Sequence, residues 1–88
     1  MLERIKRIAR KKGIEFEDII DSPVEGKKYR ILFKDKRPID FGSKGMSDYL
    51  IHKDKERRRR FHQRFENNKG YNDPDSSLFY SKSLLWPL

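Results

Sequence analysis

Apolar residues at Leu2, Ile5, Ile8 and Ala9 recur at helical spacing, and basic residues fill most of the positions between them. That pattern predicts an amphipathic helix over 2–12 with one apolar stripe and a cationic back, stopped at Gly13. The stretch 14–20 alternates too briefly to separate strand from helix, and Asp21-Ser22-Pro23 breaks it. From Lys28 to Lys34 the alternation is clear. Tyr29, Ile31 and Phe33 share one face, and their residue types favour a strand. Asp35-Lys36-Arg37 makes a turn, and Pro38 to Gly42 returns with Ile39 and Phe41 on one face. A β-hairpin over 28–41 follows, its proline suited to an edge strand.

After a turn over Gly42–Gly45, the stretch 46–51 has room for one helical turn. Asp54 is a side-chain acceptor ahead of a run of helix formers, as an N-cap is, and Glu56 suits the helix dipole. The helix is expected over 55–68, burying Phe61 and Phe65 at i, i+4. Four consecutive arginines cannot share one face. Arg57, Arg60 and Arg64 form a stripe, and Arg58 is expected to lay its stem over an aromatic ring. Gly70 ends this helix, Tyr71 to Pro74 turns, and Asp75 or Ser76 caps a last helix that runs through Trp86 to a stop at Pro87.

These elements predict a small single-domain α+β fold over 1–88: a β-hairpin, with a third strand open at 14–20, packed with two or three helices. Residues 28–86 carry the core, and 1–13 is either docked on it or a separable arm. The chain has 88 residues, 41% of them charged and 34% hydrophobic, so its core is small and a deep enzymatic cleft does not fit the size. Six Phe, four Tyr and one Trp supply much of what can be buried. The absence of cysteine excludes a disulfide framework, a thiolate metal site and a zinc finger. No apolar run approaches the roughly 18–20 residues of a membrane span. The N-terminus is too basic and too poor in apolar residues for a secretory signal, so the chain reads as not secreted.

Charge is the most informative feature. Residues 1–12 hold six basic residues against one acidic, and residues 53–64 hold seven against two, a net +5 in each. The whole chain carries +8, so everything else is nearly neutral. The helix carrying 53–64 interleaves Phe61, His62 and Phe65 with its cations, a combination suited to nucleic acid. The contacts expected are Arg57, Arg58, Arg60 and Arg64, supported by Lys53, Arg7 and Lys11. The alternative is a solvated basic face whose aromatics anchor it to the hairpin. If about five phosphates are neutralised, the logarithm of affinity should fall against log salt with a slope of roughly −4 to −5. The N-terminal helix reads as an arm on nucleic acid, as a membrane-surface helix or as an element docked on the core; its apolar face is too small for strong lipid insertion.

Three further segments carry candidate chemistry. Asp48, His52, Asp54 and Glu56 form a cluster that could hold a metal or do acid–base work. Asp54 is better explained as a cap, Glu56 as a dipole or arginine partner and His52 as a local hydrogen-bonder, so no catalytic residue, metal or cofactor is expected. Gly42-Ser43-Lys44-Gly45 is too short for a phosphate-binding loop. Leu78–Trp86 is the most apolar segment. In so short a chain part of it, here Leu78, Phe79, Leu85 and Trp86, is expected to exceed the core's needs and to serve a protein partner or a second copy of the chain.

From Phe41 to Arg57 the string Phe-Gly-Ser-Lys-Gly-Met-Ser-Asp-Tyr-Leu-Ile-His-Lys-Asp-Lys-Glu-Arg, followed by a basic-aromatic helix, Glu66–Pro74 and Leu78–Trp86, resembles a family of small basic proteins of giant double-stranded DNA viruses. The resemblance covers 41–86 and is most specific at Asp48-Tyr49, His52-Lys53-Asp54 and Glu56-Arg57. Tyr71 stands where that family usually has Trp, and Ser77-Leu78-Phe79-Tyr80 replaces its small-Gly-Phe-Trp run. The resemblance implies a viral origin, in a virion or an infected cell, and carries no activity with it. The function expected is non-enzymatic, sequence-independent binding to nucleic acid, with double-stranded DNA preferred and an acidic protein surface as the other partner class. The alternative is a minor virion protein that bridges other virion proteins through Leu78–Trp86.

Overall fold

The computed structural model describes residues 1–45 and 48–88. Helix α1 (Leu2–Lys11) leads into strands β1 (Asp18–Asp21), β2 (Lys27–Leu32) and β3 (Ile39–Ser43). A single-turn helix α2 (Tyr49–His52) precedes α3 (Lys55–Phe65), a 3-10 turn (Lys69–Asn72), the short helix α4 (Ser77–Tyr80) and a π-helical turn over Ser81–Leu85. The strands form one antiparallel sheet in the order β1-β2-β3, so the fold is a small α+β domain.

The expected hairpin is present with its predicted faces. Tyr29 pairs with Phe41 and Ile31 with Ile39, and Ile19 pairs with Ile31 from the other side. Because side chains alternate along a strand, these residues share the core face. The opposite face carries Arg30 and Asp40, paired in the ladder and joined by an ion pair at 2.9 Å. The stretch 14–20 resolves into coil up to Glu17 and a strand that starts at Asp18. Ile14 and Phe16 pack against the core from the coil.

Helix α1 and the C-terminal segment cover the core face. Ile5 and Ala9 from α1, Ile19, Ile31 and Phe41 from the sheet, and Leu84 are fully buried, with Leu50, Tyr80 and Leu85 nearly so. Full burial of such side chains stabilises by about 1.5–3 kcal/mol for each large aliphatic or aromatic one. The predicted stop after α1 works as the sequence suggests: Gly13, at φ +72°, lets its own N–H bond to Arg10 O and the Ile14 N–H to Ala9 O, closing a Schellman motif. With Ile5 and Ala9 sealed inside, α1 is docked rather than a free arm.

Three expected boundaries shift. Helix α3 ends at Phe65, not 68, because the Asn68 side chain caps a new 3-10 turn by accepting from the Gly70 N–H. Gly70 therefore lies inside that turn instead of ending the helix. The last helix starts under a Ser76 cap as expected, but it is α-helical only to Tyr80 and continues as a π turn. The wider turn carries Leu84 and Leu85 into the core. Leu85, expected to be surplus, is only 2% exposed.

Candidate nucleic-acid interface

Asp54 caps α3 as predicted, its carboxylate accepting from the Glu56 and Arg57 N–H groups. Below that cap the helix sorts its arginines by angle. Arg58 points to the C-terminal end, its guanidinium 4.3 Å from the Tyr49 ring centre and donating to Pro87 O at 3.0 Å. The predicted packing over an aromatic is there, and it engages Arg58 within the fold, so Arg58 is a structural cation rather than a phosphate contact. Arg59 pairs with Glu56, whose carboxyl is held below the usual carboxylate range chiefly by that hydrogen bond. Arg60 lies farther from Glu56, at 3.5 Å, and its side chain is 73% exposed.

Arg57, Arg60 and Arg64, at i, i+3 and i+7, line one groove of about 750 Å³. Phe61 and Phe65 from the same helix line it too, as do Lys27 and Lys28 at the start of β2. The C-terminal segment contributes Ser77, Leu78, Ser81, Leu85 and Trp86. Phe61 and Phe65 are half-buried rather than buried. Their ring centres lie 4.8 Å apart, and Phe61 stacks on Trp86 at 4.9 Å with planes 9° apart. The groove thus combines cations with a group of aromatic rings.

What α3 does bury is His62, 7% exposed. Its Nδ1 lies 2.5 Å from the Tyr71 hydroxyl and its Nε2 2.6 Å from Trp86 O. A carbonyl only accepts, so Nε2 carries a proton and donates to it, and the Tyr71 hydroxyl serves Nδ1. This bridge and the Arg58–Pro87 bond fasten α3 to the chain end and so set one side of the groove. Opposite, Lys28 pairs with the buried Asp48 at 2.9 Å, and Asp48 also caps α2 through the Ile51 N–H. Gly42, at φ +81°, brings β3 against the π turn: a Cβ there would lie 2.8 Å from Leu85 Cδ1.

The remaining predicted residues lie elsewhere. Lys53 caps the end of α2 in the left-handed region and does not line the groove. Arg7 and Lys11 are exposed on α1, outside it. Other cations of α1 are engaged within the fold: Arg4 donates to Leu50 O, Lys6 pairs with Asp18 at 2.9 Å, and Arg10 sits over Phe16. Phe79 lines a different cleft with Phe16 and Phe33. Asp48, Asp54 and Glu56 act as a buried cap, a helix cap and an arginine partner, and His52 is exposed. Among the described residues, no three His, Cys, Asp or Glu side chains gather as metal ligands would. Nor is any helix among them long and apolar enough to cross a membrane. Sequence reasoning missed Lys27, Lys28 and Tyr71 as parts of the site, and none of them carried a signal. It named His62 among the interleaved residues of the basic helix but not its bridge from Tyr71 to Trp86 O.

The model of a family of unknown function (DUF5754) matches residues 17–65, more than half of the chain. The chain belongs to that family. The matched DUF5754 segment begins one residue before β1 and ends with α3, so it contains the sheet and the arginine stripe. Helix α1 and the C-terminal segment lie outside it. No curated protein and no solved structure matches the chain.

Proposed function

We propose that this protein is a non-enzymatic nucleic-acid-binding protein that grips phosphates through the groove of Arg57, Arg60, Arg64 and Lys27. One observation carries the reading: three arginines of one helical stripe and a lysine from the sheet line a single groove. Guanidinium groups on a helix turn and a lysine across from them can bridge successive phosphates, and the released counterions drive association. None of these contacts reads a base edge, so binding is sequence-independent. The setting belonging to this proposal is the one that the resemblance implies, the nucleic acid of a large virus.

Three or four phosphates at the groove, fewer than the five expected from the charge runs, correspond to a log–log salt slope of about −2 to −4. The test is fluorescence anisotropy with labelled oligonucleotides over a salt series. The Arg60→Gln/Arg64→Gln variant should bind about tenfold or more weakly at low salt, with a slope shallower by about 2. Unchanged affinity and slope in that variant would overturn the proposal.

A further inference from the structure

The rings in the groove are not needed for phosphate contact. Phe61, Phe65 and Trp86 all line it, all are half-buried, and the Phe61–Trp86 stack sits among the cations that the preceding proposal assigns to phosphates. In a duplex the bases stack on one another inside two backbones, so rings recessed among cations meet only sugar and phosphate. A single strand turns its bases outward and can give phosphates to arginines and base faces to aromatic rings together. A volume of about 750 Å³ is that of a small-ligand pocket and suits a short stretch of strand. Ser43, Ser77 and Ser81 add hydroxyls that meet sugar or phosphate oxygens without reading sequence.

We infer that the ligand of this groove is single-stranded nucleic acid, held with bases against Trp86, Phe61 and Phe65 and phosphates against Arg60, Arg64 and Lys27. The inference rests on the phosphate reading and replaces the duplex preference that charge alone suggested. One stacked base is worth about 5- to 150-fold in affinity, so strandedness and base content should both be visible in binding.

Trp86 is the one tryptophan of the chain, so its fluorescence reports the site in the unaltered protein. The protein is titrated with an oligothymidylate, with the same backbone made fully abasic, and with a hairpin duplex of equal phosphate count. The expected result is quenching of Trp86 by the oligothymidylate and affinity about tenfold or more above that for the abasic strand and the duplex. Arg60→Gln/Arg64→Gln should weaken all three. Equal affinity for strand, abasic backbone and duplex would overturn the stacking inference and leave the phosphate reading standing, as would binding with no change in Trp86 emission. Failure of every probe to bind would overturn both.

Discussion

Residues 1–12 and 53–64 carry the same net +5 in equal lengths, yet the fold uses their helices, α1 and α3, in opposite ways. Helix α1 seals Ile5 and Ala9 in the core and engages Arg4, Lys6 and Arg10 with a carbonyl, a carboxylate and a ring. Helix α3 buries a single side chain, His62, and lines a groove with Arg57, Arg60 and Arg64. The difference lies in the apolar residues between the charges. A stripe of Leu2, Ile5, Ile8 and Ala9 suffices to dock a helix flat on a sheet. In α3 the isolated Phe61 and Phe65 lie on the side of Arg57, Arg60 and Arg64 and line the cleft with them, while His62 and Arg58 hold the helix in place. Net charge says how much cation a segment holds, and its apolar neighbours decide where that cation faces.

The comparison is broken most strongly from the α1 side. Ile5→Ala should cost about 2–5 kcal/mol in chemical denaturation while leaving the salt slope of binding unchanged, because it empties the core and not the groove. A small loss there would mean that α1 is not an integral layer. His62→Ala attacks one anchor of α3, leaving the Arg58–Pro87 bond in place. It strips partners from the Tyr71 hydroxyl and Trp86 O, and a loss of about 1–3 kcal/mol is expected, with a change in Trp86 emission. An unchanged emission spectrum would detach His62 from the groove's construction.

Acid sharpens the contrast in a smaller way. Asp18, which ties α1 through Lys6, has its carboxyl lowered mainly by that side-chain hydrogen bond. Asp40 is lowered by Arg30 and Ser22, and Glu56 by Arg59. A carboxylate with a lowered folded pKa contributes its stability above its unfolded value and loses it as pH falls through the folded one. The thermal midpoint should therefore be flat near neutrality and fall below about pH 4. Asp18→Asn and Asp40→Asn should each flatten part of that fall, and a midpoint insensitive to acid would remove these pairs from the stability account. The smallest effect expected is that of Arg7→Gln/Lys11→Gln. Both residues are exposed on α1, so stability should stay within about 0.5 kcal/mol of the parent. The salt slope should move less than in the Arg60/Arg64 variant, and an equal change would place a second contact on α1.

Local pattern carried much of the fold. Alternation placed Tyr29, Ile31 and Phe41 on one sheet face, and acceptor residues placed the caps at Asp54 and Ser76. Helical spacing alone put Arg57, Arg60 and Arg64 together. What stayed hidden depends on residues distant in sequence or on a change of helical pitch. Nothing near Lys27 marks it as lining the same groove as Arg64, since only the tertiary fold brings the two into one lining. Leu85 looked surplus because the core of so short a chain was expected to be too small for all of Leu78–Trp86, yet it is buried in the π turn. His62 could be seen as polar amid aromatics, but its acceptor at Trp86 lies 24 residues on.

That separation has a consequence for biosynthesis. The bonds that seat α3 reach forward across 24 residues from His62 and 29 from Arg58. During synthesis the residues of α1 and the sheet precede Trp86 and Pro87, so α3 has no mate until those two backbone oxygens have been made. A chain lacking residues 86 and 87 would leave this arginine-rich helix untethered and the groove without its Trp86 wall.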